Sequence, residues 1–150
     1  MAEHFTKEPD RIYVTKDVRK IIEEQLDTSN YLGLSKQDTT RSDLFLFAMA
    51  LGVESKSSEQ LVNSEGLTLS KSLTGETKAL FFASYINEVA GKENLDKVAD
   101  QEAVFKHAQE YANAGFHMIE NYQNTTKDTV LCWQLMAELD KQYEAVVKQL

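Results

Sequence analysis

Three histidines and one cysteine are the side chains best suited to metal binding or nucleophilic catalysis, and their spacing keeps them apart. His107 and His117 are ten residues apart on one predicted helix, which places them about 80° out of phase at roughly 100° per residue. His4 lies in the polar N-terminal segment, far from both in sequence. No histidine or cysteine pair has the spacing of a metal site, so we expect no metal and no other cofactor.

Cys132 lies on an apolar helix face without a fixed basic neighbour, which is typical of a small buried hydrophobic residue rather than a nucleophile. The chain has no glycine-rich phosphate loop, no G-x-S-x-G segment and no H-E-x-x-H segment. The sequence therefore predicts no catalytic residues and favours a protein that is not an enzyme. The enzyme alternative requires a cleft that gathers His107, Glu110 or Glu120 with strongly perturbed pKa values.

The composition predicts one folded, helix-rich domain. The chain has 150 residues, 42% of them hydrophobic and 9% aromatic, with one proline and six glycines. Its net charge of −8 is spread evenly, which disfavours nucleic-acid binding through clustered Lys and Arg. The sequence has no run apolar enough to cross a membrane, no recognisable signal peptide and no second cysteine, which together predict a cytoplasmic protein.

The stretch from Leu44 to Leu51 is apolar at every position and predicts the central helix of the fold. Thr40 and Asp43 have the spacing of a capping box before it, and Gly52 has the position of a left-handed residue after it. A buried strand is the alternative for so short an apolar run. The segment Ala48–Ala50 disfavours that alternative because alanine and methionine are poor strand residues.

We predict a mainly α fold, a single-domain bundle of about five helices around this central helix with up to two short strands. A flexible N-terminal tail covers residues 1–10 and the helical domain covers residues 11–150. The pattern predicts a strand over Arg11–Thr15, loops over 28–40 and 55–75 with a short extended piece at 67–69, and helices over 16–27, 76–90, 100–121 and 127–150. A loop as long as 55–75 is either functional or poorly ordered.

Two of these helices carry more specific expectations. Periodicity predicts a buried stripe on the helix over 76–90, formed by Ala79, Phe82, Ala83, Ile86 and Ala90, with Leu80 beside it. Gly115, inside the following helix, indicates the close approach of a neighbouring backbone, with a helix break as the alternative. We expect Asn113 to cap or bridge a kink there, or else to contact a partner helix.

The last helix has a heptad pattern. Its apolar residues recur at spacings of 4, 3, 4, 3 and 4, and they are Cys132, Met136, Leu139, Tyr143, Val146 and Leu150. One interpretation is a helix lying on the bundle, which the flanking Trp133 and Leu135 favour because they widen the apolar stripe. The other is association with a protein partner or a second copy, for which we predict binding by Met136, Leu139, Tyr143, Val146 and Leu150. The loop over 55–75 is a second candidate binding surface.

A short strand followed by two helices is also the order of a ribbon-helix-helix DNA-binding protein. In that alternative the DNA contacts would be Arg11, Tyr13 and Thr15 on one face of the strand, and Arg41 at a helix N-terminus. The long loop over 28–40, the acidic net charge and the fully apolar central helix all disfavour it.

Two segments, Arg41–Glu54 (RSDLFLFAMALGVE) and Glu110–Ile119 (EYANAGFHMI), resemble a family of small proteins encoded beside DNA phosphorothioation (dnd) systems. The family has an aspartate-led helix of the type D-x-x-x-F-A-A-A-L-G and a later Y-A-N-x-G-x-x-x-[IL] segment. The matching residues are Asp43, Phe47, Ala48, Ala50, Leu51, Gly52, Tyr111, Ala112, Asn113, Gly115 and Ile119.

The resemblance covers residues 10–120, and two features of this chain depart from it. The family's basic stretch after the glycine is replaced by residues 53–58, and the final helix looks like an extension. The resemblance implies a non-enzymatic accessory protein of a DNA-modification-linked phage-defence locus. It supplies no catalytic residues.

Overall fold

The computed structural model of the chain describes residues 6–26, 40–90, 95–125 and 128–148. These contain five α-helices and two strands, which confirms the predicted mainly α fold. The strands are β1 (Arg11–Thr15) and β2 (Ser64–Leu69), and the helices are α1 (Lys16–Ile21), α2 (Arg41–Glu54), α3 (Gly75–Tyr85), α4 (Gln101–Thr125) and α5 (Asp128–Lys148). Wider π-helical turns extend α1 to Leu26 and α3 to Ala90, and 3₁₀ turns cover Ser70–Ser72 and Leu95–Ala99. The predicted loop over 28–40 lies outside the described residues except for Thr40.

The central apolar stretch is a helix, and its predicted capping box is present. The Thr40 side chain accepts a hydrogen bond from the Asp43 amide at 3.2 Å, and the Thr40 amide donates to the Asp43 carboxylate at 3.0 Å. Together the two bonds satisfy donors that a helix N-terminus otherwise leaves free. Leu44, Phe45 and Ala48 of α2 are buried in the core.

The prediction for Gly52 is wrong, because α2 continues through it to Glu54. The left-handed residue after the helix is Lys56, with φ of 53°. Gly52 is instead required by packing, since a Cβ atom there would lie 2.1 Å from the Tyr111 carbonyl oxygen of α4.

Gly115 of α4 is also required by close helix packing. A Cβ atom there would lie 1.7 Å from the carbonyl oxygen of Ala48, and α4 is unbroken through this position. The close approach is therefore confirmed and the helix break is excluded. The two contacts, Ala48 with Gly115 and Gly52 with Tyr111, show that α2 and α4 cross antiparallel with their backbones touching one turn apart. α4 also contacts α1, α3 and α5, so the α2–α4 pair is the centre of the fold.

β1 and β2 form a two-stranded antiparallel sheet with an irregularity between Ile12 and Tyr13. Side chains of α4 hydrogen-bond the outer edge of β1: the Tyr13 amide donates to Gln109 Oε1 at 2.7 Å, and the Thr15 amide donates to Asn113 Oδ1 at 3.2 Å. Gln109 and Asn113 are one turn apart on α4, so one helix face satisfies the strand. Asn113 thus bridges no kink, contrary to that prediction.

Two arginine side chains hydrogen-bond carbonyl oxygens of β2. The Gly66 carbonyl of β2 accepts a hydrogen bond from Arg19, and the Leu67 carbonyl accepts one from Arg41 at 3.4 Å.

The predicted buried stripe of α3 has the wrong phase. Phe81 and Tyr85 are the buried residues of this helix, whereas Ala79 and Ala83 are exposed and Phe82 is half-buried. The aromatic core decides the phase, because the Phe81 ring lies 5.6 Å from that of Phe45 and 5.4 Å from that of Phe105.

The described half of the predicted N-terminal tail lies against the domain. The Thr6 amide donates to the Ala99 carbonyl at 3.1 Å, and Thr6 Oγ1 accepts from the Gln101 amide at 2.7 Å. Glu8 forms an ion pair of 2.9 Å with Lys78 of α3. Residues 1–5, including His4, lie outside the described residues.

Candidate functional site

The densest polar cluster of the described chain is a closed ring of five side chains around His117. Its Nδ1 is 2.7 Å from Glu59 Oε2 and its Nε2 is 2.8 Å from Asp17 Oδ2. Glu59 Oε2 also accepts a hydrogen bond of 3.0 Å from the side-chain nitrogen, Nδ2, of Asn113. Thr15 closes the ring, because its hydroxyl lies within hydrogen-bond distance of both Asp17 and Asn113.

Four separate parts of the chain supply these residues. Thr15 ends β1, Asp17 lies in the first turn of α1, and Asn113 and His117 are one turn apart on α4. Glu59 belongs to the segment between α2 and β2, and its amide donates to the Glu110 carbonyl at 3.0 Å. The ring therefore ties this segment and the β1–α1 junction to one face of α4.

The charges of the ring favour the protonated form of His117. Burial alone lowers the pKa of His117, but the hydrogen bonds and negative charges of Asp17 and Glu59 outweigh it and raise that pKa above its usual value. The hydrogen bond from Thr15 lowers the pKa of Asp17, and His117 acts in the same direction against the cost of burial. An imidazolium between two carboxylates is the state these shifts favour.

Hydrogen bonds occupy both nitrogens of the His117 ring. In the protonated form, both ring nitrogens of His117 donate hydrogen bonds to the carboxylates of Glu59 and Asp17. Over the described ranges, no group of three or more His, Cys, Asp or Glu residues is arranged to hold a metal. The contacts of the polar ring fasten the β1–α1 junction and the α2–β2 connection to α4.

His107 lies apart from His117, as the sequence predicts. Its Nε2 is 3.1 Å from Ser84 Oγ, and its ring is packed between the rings of Tyr85 and Tyr111 at 5.6 and 4.8 Å. Burial lowers the pKa of His107, and the charge of Glu88 only partly opposes this. A neutral histidine beside a serine is one part of a nucleophilic site, but catalysis also needs a group that orients the imidazole and donors for an oxyanion. The contacts of the His107 ring beyond Ser84 are aromatic, which is typical of a packed core histidine.

The two glutamates named for the enzyme alternative lie far apart on α4. Glu110 of α4 lies 3.9 Å from Lys106 in an i,i+4 pair. Glu120 lies ten residues further along the same helix, which is about 15 Å at 1.5 Å per residue. One small substrate could therefore not contact both Glu110 and Glu120.

The predicted DNA-contact residues do not form the expected face. Arg11 and Tyr13 are exposed on β1, but Thr15 is buried against Asn113, which corrects the prediction that the three share one open face. Arg41 lies against the Leu67 carbonyl of β2. β1 pairs with β2 of its own chain, and α4 covers its other edge. The paired strands of two copies that a ribbon-helix-helix protein needs therefore cannot form here.

An open cavity of about 320 Å³ lies between the N-terminal segment and the end of β2. Lys7, Pro9, Leu69 and Lys71 are among its lining residues. Ser70 also borders it, and its hydroxyl has no hydrogen-bond partner among the described residues. That oxygen is fully buried, so it cannot contact a ligand in the cavity.

The predicted partner-binding residues of α5 lie open on the surface. The exposed fractions are 51% for Met136, 54% for Leu139, 71% for Tyr143 and 60% for Val146. Val147 beside them is 46% exposed. Leu150 and the side chains of residues 128–135 lie outside what the structure describes. Several large apolar side chains on one helix face in water are characteristic of a protein-binding surface.

In the described part of the chain, no helix has the length and apolar character needed to span a membrane. No protein-family model, no characterised protein and no solved structure matches this chain. The likeness to phosphorothioation-associated proteins therefore depends on the two sequence segments alone. Both segments have a structural explanation, because Ala48, Gly52, Tyr111 and Gly115 are the residues at which α2 and α4 touch.

Proposed function

We propose that the chain is a cytoplasmic, non-enzymatic protein-interaction component that binds through the apolar face of α5. The observation that carries this proposal is the exposure of Met136, Leu139, Tyr143 and Val146 on one face of α5. Burying each such side chain against a partner is worth roughly 1.5–3 kcal/mol at full burial, so four of them can drive association.

We call the part of the domain from β1 to α4 the body. Its packing supports a scaffold role. The core is continuous from β1 through α2 and α4 to α3, and the polar ring around His117 fastens its connections. The ring and the His107–Ser84 pair both have structural explanations, so neither requires a substrate. The function is therefore expected at the exposed apolar face of α5.

We further propose a DNA-modification-linked phage-defence locus as the setting. The support is the sequence resemblance of Arg41–Glu54 and Glu110–Ile119 to proteins encoded beside phosphorothioation systems. The genes on either side of this one test the setting, since genes for phosphorothioation enzymes are expected there. If the neighbouring genes are unrelated to DNA modification in every genome that carries this gene, the proposed phage-defence setting is wrong.

Site-specific photo-crosslinking in cells that carry the native gene tests the interaction itself. A benzoylphenylalanine at Tyr143, on the apolar face, is expected to give a crosslinked protein band. The same group at Lys141, which is exposed on the opposite side of the heptad, is the matched control and should give none. Adding Leu139→Asp should abolish the band from position 143, because a charge is then buried in the contact.

The outcomes of this experiment are distinct. Equal crosslinking from positions 141 and 143, or none from either, contradicts a binding role for the apolar face. A band that survives Leu139→Asp contradicts it as well. The mass of the crosslinked species also tells a second copy from another protein.

A further inference from the structure

We propose that the occupant of the α5 face is α5 of a second copy, packed antiparallel about a two-fold axis near Lys141. This inference depends on the proposed interaction role of α5 and names its partner. The apolar positions follow the heptad pattern that two helices use to pack knobs into holes. A two-fold arrangement uses the same face on both copies and closes upon itself, so it gives a dimer and not a filament.

We call the face formed by Met136, Leu139, Tyr143 and Val146 the seam. It is complementary to itself in the antiparallel orientation. Met136 and Tyr143 occupy the a positions of the heptad, and Leu139 and Val146 occupy the d positions. With the axis near Lys141, Leu139 of one copy faces Tyr143 of the other, and Met136 faces Val146. Every exposed seam residue of the described helix then has an apolar partner, and each layer joins a larger side chain to a smaller one.

Charge favours this direction over the parallel one. Each copy carries a net charge of −8, and its body is joined to the N-terminal end of α5. Parallel helices would bring the two acidic bodies side by side. Antiparallel helices place them at opposite ends of a helix of 21 residues, about 31 Å long, which is several times the ~8 Å screening length at physiological salt. The helix dipoles are then also opposed and attract one another.

The flanks of the seam favour a second copy over a different protein. Coiled coils select unlike partners through charged e and g positions. Between Met136 and Lys148 those positions are Asp140, Gln142 and Val147, of which only Asp140 is charged. The flanks thus specify no oppositely charged partner. The seam is short and the two Asp140 carboxylates approach one another near the axis, so we expect a weak, concentration-dependent dimer.

Disulfide trapping tests both the partner and the direction. In a Cys132→Ala background, Leu139→Cys and Tyr143→Cys chains are oxidised separately and as a mixture, with Lys141→Cys as the control on the outer face. We expect the mixture to form a covalent species of about 34 kDa, twice the 17.0 kDa of one chain, that contains one of each variant. Each variant alone should form no more of it than Lys141→Cys, because positions 139 and 143 face each other and not themselves.

The remaining results would overturn the inference. Covalent dimers of Leu139→Cys alone and of Tyr143→Cys alone would indicate parallel helices. A mixture that traps no better than the control would exclude an ordered dimer through this seam. In that second case, a photo-crosslink from position 143 to a protein of another mass would leave the interaction role intact with a different partner.

Discussion

His117 lies between two carboxylates that come from distant parts of the chain. Asp17 precedes it by 100 residues and Glu59 by 58, so their meeting with one imidazole depends on the whole fold. The ring also explains Asn113, which is 1% exposed and would otherwise be an unsatisfied amide in the core. Its oxygen accepts from Thr15 and its nitrogen donates to Glu59. At the residue scale, buried polar groups of α4 serve to hold other elements in place.

The charge of His117 predicts a definite dependence of stability on pH. Its pKa is raised in the folded chain above 6.5, so its contribution to stability is complete below about pH 6.5 and is lost as pH rises through the folded value. The pKa of Asp17 is lowered below 3.8, so that contribution is lost only as pH falls below about 3.8. The ring therefore stabilises the fold most between these two limits.

Comparison with a His117→Gln variant isolates this effect. We expect the urea midpoint of the variant to lie below that of the wild type at pH 5.5, and the gap to narrow by pH 9. The variant is needed because the lowered pKa of His107 gives a slope of opposite sign, with stability lost as pH falls. A gap of equal size at both pH values would show that the proton on His117 contributes nothing.

The crossing of α2 and α4 is the decisive contact at the element scale. The two helices meet at backbone distance because Gly52 and Gly115 have no Cβ atom, and each faces a carbonyl oxygen of the other helix. A carbonyl oxygen of a rigid helix cannot rotate away as a flexible side chain can. An added methyl group at either glycine must therefore push the helices apart.

Gly115→Ala tests this crossing against Gly75→Ala. The first variant places a Cβ atom 1.7 Å from the Ala48 oxygen, so we expect a loss of about 3 kcal/mol or more in unfolding free energy, at the upper end of overpacking costs. A Cβ atom added to Gly75, the first residue of α3, would meet no atom within 4 Å, so this alanine variant should be neutral or up to ~1 kcal/mol more stable. Urea unfolding of the two proteins measures the difference. Similar midpoints for both variants would mean that α2 and α4 can separate freely.

Local signals predicted most of the elements. The capping box at Thr40, the strand Arg11–Thr15 and the extended piece within β2 are properties of neighbouring residues and are confirmed. The buried face of α3 and the role of Gly52 are not local, since each depends on which helix lies opposite. Both predictions were wrong for that reason. The pairing of His117 with Asp17 and Glu59 could not be predicted from residue spacing, because the partners are 100 and 58 residues away in sequence.

At the scale of the whole molecule, the packed body contrasts with the last helix, α5, whose described apolar face is exposed. Among the side chains that the structure describes, the buried apolar residues belong to the body, whereas Met136, Leu139, Tyr143 and Val146 of α5 are more than half exposed. A helix lying on the bundle was the other interpretation of the heptad, and it would bury this seam. Over the described part of the heptad, the exposure differs from the burial expected of a helix lying on the bundle.

The dependence of the urea midpoint on protein concentration tests this division most directly, for the wild type and for Leu139→Asp/Val146→Asp. Association stabilises the folded chain by mass action, so we predict that the wild-type midpoint rises with concentration. The double variant should show one midpoint at all concentrations, close to that of the wild type at high dilution, because both side chains are more than half exposed in the single chain. A lower midpoint for the variant at high dilution would show that the seam packs on its own domain, and a wild-type midpoint independent of concentration would contradict self-association through α5.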